Sequence, residues 1–453
     1  MKVYPTALDV SDNDGFDATK DLFDGRRLGD GLTNLVTRIE DPMVIALDGV
    51  WGSGKSTFLR MWAGELKKAN FPVIVFDAFE NDYVDEAFGA LARELVALSD
   101  KMASLPAKAT ASLRDRSVEL GGLLLRGASR IAINVGVRAA TAGLVGSSDL
   151  ESIQKDLEKE VSSVAEKYME SLLDKPNEQK LTVEAFRLEL SSFPEKFALD
   201  QGVDVVKPLV FVIDELDRCK PSFALSILER VKHFMSVPNV HFVLGVHTRQ
   251  LEASVRAVYG SDIDAPAYLQ KFLNLSVSFV DTVERAESRR LSKYAEHLKR
   301  ALSIPQDIDG PLSAASQAIV RVLERRNGSL RTLERAFTVL SMAIAFTPKD
   351  QLRLGPIIGG LVVLKILEPE LFLKAKTGRI KLSEVLSALY LEPLGENTDR
   401  SSEWQVEWWT YCLSEQLPEK LSEHARTLYR YHFDDDRAAL VTYTANEIVD
   451  RLN

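Results

Sequence analysis

The chain has 453 residues, a formal net charge of −10, 45% hydrophobic residues and 27% charged residues. This is an ordinary globular composition with room for two or three domains, and its acidic balance argues against non-specific nucleic-acid binding by the surface as a whole, a local basic groove remaining open. The two cysteines, Cys219 and Cys412, stand far apart and form no metal-like cluster, which points to a reducing, cytoplasmic setting.

The N-terminus MKVYPTALDVSDNDGFD has no apolar signal core. No run approaches the roughly 18 apolar residues that a membrane helix needs. Gly355–Ile366 is too short, and Leu120–Val145 carries Arg126, Arg130 and Arg138; both read as helical segments outside a membrane.

Residues 1–25 form an acidic, turn-rich N-terminal segment closed by Asp24-Gly25. Leu32, Leu35, Val36 and Ile39 then fall at helical spacing, and Pro42 stops that helix. Met43–Leu47 is a short apolar run ending in Asp48-Gly49, as expected of a strand buried on both faces of a parallel sheet. Thr57–Lys68 reads as a helix, Pro72–Phe76 as a second strand and Asp85–Ser99 as another helix. Residues 100–200 show no strand pattern; Ile153, Leu157, Val161 and Val164 suggest a long amphipathic helix in a helical insertion. Pro208–Ile213, Val240–Val246 and Leu273–Val280 read as the third, fourth and fifth strands, with a helix over Phe223–Phe234. Strands alternating with helices predict a parallel α/β sheet. The expected organisation is a sheet core over 26–99 and 201–283, the insertion over 100–200, a helical lid over 284–345 and a C-terminal helical domain over 346–453.

The stretch Gly49-Val50-Trp51-Gly52-Ser53-Gly54-Lys55-Ser56-Thr57 fits G-x-x-x-x-G-K-[ST] between an apolar strand and a helix. Its glycines let backbone N–H groups approach phosphates. Lys55 supplies a positive charge to the β- and γ-phosphates, Ser56 a hydroxyl to Mg²⁺, and the following helix its positive end. Trp51 reads as a core or lid aromatic.

Val210–Ile213 runs straight into Asp214-Glu215. Carboxylates at the C-terminal end of a parallel strand face the ligand crevice. Asp214 is expected to hold Mg²⁺ and Glu215 to activate a water beside the γ-phosphate. Asp217 and Arg218 are expected to pair with each other or brace this loop. His247 and Arg249, after the fourth strand, are sensor candidates. Arg331 follows Ser329, a good N-cap, and so sits near a helix start from which it could reach the nucleotide. The run Arg285, Arg289 and Arg290 reads as a solvated helix face, a finger into a neighbouring subunit being the alternative.

These pieces resemble the KAP P-loop NTPases, a group within the STAND and AAA-like ATPases. The residues carrying the likeness are Ala46–Trp62, Val75–Tyr83, Pro208–Val246 and Asn327–Phe337. The resemblance implies a core of sheet order 5-1-4-3-2 with a helical lid, and nucleotide chemistry at Lys55, Ser56, Asp214 and Glu215. It also implies that Arg331 matches the family's arginine at the start of a lid helix. His247-Thr248-Arg249 departs from the aspartate that many relatives carry after the fourth strand. Bacterial relatives often occur in anti-phage defence systems.

Glu403–Tyr411 holds three of the five tryptophans, with Trp404 and Trp408 on one helical face; a packed core is their expected setting, exposed aromatics marking a partner surface being the alternative. No nuclease, protease or deaminase constellation is legible after residue 345, so in a defence setting the effector is expected to be a separate protein; the likeness to P-loop ATPases, which often complete their sites between subunits, implies a homo-oligomer as well or instead. The leading expectation is a Mg-ATP hydrolase that switches conformation or assembly. A slow nucleotide-dependent binding switch and a nucleic-acid-directed motor or clamp are the alternatives, and ATP against GTP stays open.

Overall fold

The computed structural model describes residues 10–11, 14–17, 19–83, 87–102, 112–120, 176–279, 287–304, 311–347, 354–392, 400–416, 437 and 439–450. The chain divides into two compact units, one built from 10–49 and 55–279, the other from 280–453 together with Val50–Gly54.

The first unit is built on a five-stranded sheet of β1 (Met43–Asp48), β2 (Val73–Asp77), β3 (Leu209–Asp214), β4 (Val240–Val246) and β5 (Leu275–Ser278), in the order β2-β3-β4-β1-β5. All four strand pairs are parallel. Read from the other edge, this is the 5-1-4-3-2 order that the sequence resemblance implies. The strands appear in sequence as unbroken apolar runs because each face has its own cover. Ile45, Leu47, Val73, Val210, Val212 and Val243 point to one side and meet Phe58, Leu59, Trp62 and Leu66. Those four belong to a helix over Lys55–Lys68 (α2), and Leu32 and Val36 join them from a helix over Arg26–Arg38 (α1). The alternate residues Val44, Ala46, Ile74, Phe76, Leu209, Phe211, Ile213 and Phe242 form the core of the other side. Helices over Ala87–Asp100 (α3), Pro176–Ser191 (α4) and Pro221–Arg230 (α5) cover that side.

Two boundaries differ from the sequence reading for physical reasons. The helix expected over Phe223–Phe234 starts at Pro221, a residue whose fixed φ suits the first turn, and widens into a π-helical turn over Val231–Met235. The fifth strand shortens to an edge strand in which Leu275 and Ser276 are exposed. The N-terminal segment is no separate appendage where it is described: Phe16 is buried against Phe58, and its N–H donates to Glu65 at 3.1 Å. Of the expected insertion, 112–120 and 176–201 are helical apart from a turn at Ser192, while the helix suggested by Ile153–Val164 and the stretch 121–145 lie outside the described residues.

Among the described residues the regular elements of the second unit are all helices. Its principal helices span Glu287–Ala301 (α6), Pro311–Arg325 (α7), Leu330–Phe346 (α8), Gly355–Leu367 (α9) and Arg400–Leu413 (α10). The apolar stretch noted in the sequence is α9, buried from Gly355 to Leu364. Among the described residues no helix is long and apolar enough to cross a membrane. The expected core position of Trp404 and Trp408 is corrected. Trp404 is 39% exposed and Trp408 half-buried, while Trp409 is the fully buried tryptophan of α10. One residue turns a helix by about 100°, so the buried face is the one carrying Gln405, Val406, Trp409 and Cys412.

Candidate functional site

β1 and β3 carry their functional groups out of the sheet at their carboxyl ends. β1 ends at Asp48, after which the Gly49 N–H donates to the Val246 carbonyl at 3.1 Å. β3 ends at Asp214, in register with Asp77 of β2. Glu215 leaves the strand with φ +61°, a left-handed conformation uncommon for a side-chain-bearing residue. Its N–H donates to Asp214 Oδ1 at 2.9 Å. That turn places consecutive carboxylates beside one another, and the Ser56 hydroxyl donates to Glu215 Oε1 at 3.2 Å.

Lys55 is buried, and its ammonium donates to the Gly49 carbonyl. Burial lowers its affinity for a proton, opposed by the nearby charges of Asp217, Asp214, Asp48 and Glu215. Burial pushes the Asp214 carboxyl above the usual carboxylate range, against the pull of hydrogen bonds from Ser56 and the Glu215 N–H. Glu215 is raised first by burial and then by Asp214, while Arg218 draws it down. Arg218 forms an ion pair with Glu215 and so ties down the turn after β3. Asp217 is buried where its charge favours the Lys55 ammonium.

The tip of the glycine loop, Val50–Gly54, belongs to the helical unit. Gly52 and Gly54 hold φ +74° and +90°, a region that glycine enters without a Cβ penalty. The Ser53 N–H closes the turn onto the Val50 carbonyl at 3.2 Å. Val50 and Trp51 are exposed, so the tryptophan is not a core residue. Ser329 caps α8 by accepting from the Thr332 N–H at 3.1 Å, as its sequence position predicts. Leu330, the first residue of α8, donates its N–H to the Gly52 carbonyl at 3.0 Å. Arg331 follows, its Cβ close enough to Gly52 that a Cβ there would stand 2.8 Å away. Thr57 continues α2.

Arg290 corrects the reading of its run as a solvated face. Its Nη2 donates to the Ser53 carbonyl. The side chains of Arg285 and Arg289 lie outside the described residues. His247 precedes a helix over Thr248–Tyr259, whose first N–H donates to Asp48 Oδ1 at 2.8 Å; Arg249 is exposed on that helix. Sequence reasoning placed Arg290 on a solvated face and passed over Asp77 and Gly245. A glycine inside β4 was the visible signal for the last, since strand glycines mark close approach of another group.

No curated protein matches the chain. Similar solved structures include the ORC2 protein of Aeropyrum pernix in its ADPNP–ADP complexes, with 12% identity over 95% of this chain and 94% of that one and a TM-score of 0.34. The ADP form of the same protein gives 11% over 90% and 84%, with a TM-score of 0.34. AMPPCP-bound DnaA from Aquifex aeolicus gives 11% over 97% and 100%, with a TM-score of 0.26. The KAP family P-loop domain matches residues 31–345. That stretch is more than half of the chain and contains both the glycine loop and the Asp214-Glu215 turn, and the protein belongs to the KAP family of P-loop NTPases.

Proposed function

We propose that the protein binds Mg-ATP, hydrolyses it, and uses the cycle to switch conformation or assembly state. The observation that carries this reading is the meeting of Ser56, Asp214 and Glu215 at the carboxyl end of the sheet, with the buried Lys55 among the same carboxylates. The donor set fits magnesium: a hydroxyl and two carboxylates are hard oxygen ligands, and a divalent cation offsets the burial, and after it the neighbouring carboxylates, that raise both carboxyls. Ser56 and Asp214 would hold the ion, which supplies charge neutralisation on the β- and γ-phosphates.

The remaining work falls to the chain itself. Lys55 exchanges the Gly49 carbonyl for phosphate oxygen. The loop's N–H groups and the start of α2 bind the anion. Glu215 orients a water and takes its proton. Arg331, at the start of α8, is proposed to add positive charge near the transferred phosphate.

Turnover of ATP by the wild type and by Glu215→Gln tests the reading, with mass photometry in the presence and absence of ATP reporting assembly. Turnover abolished by Glu215→Gln with nucleotide binding kept is the expected result. Loss of binding in Lys55→Ala is expected alongside it; unchanged affinity there would sink the proposal. A slow binding switch is the second reading, favoured by the ion pair that engages Glu215 with Arg218. Wild-type protein that binds ATP without turnover would select it. The family likeness alone suggests the biological setting, bacterial anti-phage defence with a separate effector, and phage challenge of cells carrying Lys55→Ala tests it.

A further inference from the structure

The glycine loop is a strip of peptide planes, and the direction of each plane decides which way its N–H points. In a trans peptide the carbonyl oxygen and the following N–H lie on opposite sides of the same rigid unit. The Ser53 carbonyl and the Gly54 N–H are such a pair, so whatever anchors the first aims the second. Arg290 anchors it: the guanidinium donates from α6 to the Ser53 carbonyl, and Nη2 also lies 3.6 Å from where a Gly54 Cβ would stand. The neighbouring plane is held the same way, because the Gly52 carbonyl accepts from the Leu330 N–H at 3.0 Å. Two successive planes of a loop with two left-handed glycines are thus held by donors from other parts of the same unit.

We propose that Arg290 is a positioning residue for the phosphate-binding loop, acting through the Ser53 carbonyl to set the direction of the Gly54 N–H. The inference rests on the reading of this loop as the nucleotide site. It assigns to Arg290 no contact with the nucleotide. A glycine at positive φ has little of its own to hold one orientation, so the charged donor supplies what the loop sequence leaves free. A hydrogen bond from a charged group is among the stronger ones in proteins, enough to select one peptide orientation over its flipped alternative.

The test measures binding of a fluorescent ATP analogue with magnesium to the full chain. It compares wild type, Arg290→Ala, Arg290→Lys, and Lys293→Ala as an exposed control on the same helix. The expected result is a Kd raised about tenfold or more in Arg290→Ala, partial recovery in Arg290→Lys, no change in Lys293→Ala, and recovery of Arg290→Ala by millimolar methylguanidinium. Equal affinity of Arg290→Ala and wild type overturns the proposal. So does weakened binding that neither lysine nor methylguanidinium restores while the melting temperature falls, since that marks a packing role. A wild type that binds no nucleotide refutes the functional reading instead, and a normal wild type with an indifferent Arg290→Ala refutes only the inference.

Discussion

Gly245 of β4 lies directly beside Asp214 of β3: a Cβ at Gly245 would stand 2.5 Å from Asp214 Oδ1 and 2.6 Å from Leu59 Cδ1. The candidate magnesium carboxylate therefore owes its place to the missing side chain on the adjacent strand. Gly245→Ala forces Asp214 or Leu59 to move. A displacement of this kind at a reacting centre can cost on the order of a hundredfold in rate. We expect Gly245→Ala to lower ATP turnover at least about tenfold and to raise the magnesium concentration needed for half-maximal rate. A magnesium titration of turnover checks this, and unchanged dependence would mean that Leu59 gives way while Asp214 keeps its place.

Much of the architecture was written openly in the sequence because the physics demands contiguous signals. Strands covered on both faces need unbroken apolar runs, and Val210–Ile213 and Val240–Leu244 supply them. A phosphate loop must be continuous in sequence, and so must a strand ending in two carboxylates. What escaped the sequence depends on contacts between distant positions. Arg290 stands in a basic run whose members look alike until α6 is placed, and its partner Ser53 is 237 residues away. Asp77 becomes a neighbour of Asp214 only through strand register. Trp408 and Trp409 are adjacent and both apolar, so periodicity alone did not fix which of them faces inward. The packing of α10 selects Trp409.

Asp450 holds two ammonium groups: Lys365 donates to Oδ1 at 2.7 Å and Lys376 to Oδ2. The Asp450 side chain is 6% exposed and the lysines 26% and 31%, so one end of each pair is desolvated. Burial pushes the Asp450 carboxyl up, but the two lysines more than offset it and leave it below its ordinary value. Asp450→Asn leaves two cations without their shared counter-ion. Loss of one partner of a buried pair costs about 3–5 kcal/mol; the partial exposure of both lysines brings the expectation to about 2 kcal/mol. Urea unfolding of the two proteins at pH 7 measures it. Because the folded carboxyl is depressed, this contribution is present above the unfolded pKa and is lost as pH falls through the folded one. The gap between wild type and Asp450→Asn should therefore narrow in acid.

The two cysteines should be silent towards thiol reagents in the folded protein. Both are free and buried. Burial pushes each thiol up to about 12, so the reactive thiolate is scarce at neutral pH. Cys219 also donates to the Glu215 carbonyl at 3.6 Å. Iodoacetamide at pH 7.5 should modify neither residue until denaturant is added. Rapid labelling of Cys219 in the native protein would show that the turn after β3 opens in solution.

His241 sits in the middle of the sheet at 0% exposure, paired in register with Met43 of β1 and Val210 of β3. Burial lowers its affinity for a proton, and the Ile39 and Val36 carbonyls at the end of α1 act weakly the other way. The folded imidazole is therefore neutral where an unfolded one, near its ordinary value of about 6.5, takes up a proton. Between the folded and unfolded values the unfolded chain binds more protons, so stability rises with pH across that window. It is fully present above the unfolded value and declines as pH falls below it. A single such group contributes a slope of at most about 1.4 kcal/mol per pH unit. Denaturation of the wild type and of His241→Gln from pH 8 to pH 5 isolates this term from the other histidines. The variant starts less stable, because its amide is buried in the same place, yet it should lose less stability than the wild type as the solution is acidified. Parallel curves for the two proteins would mean that His241 remains neutral in both states or charges without cost in the folded one.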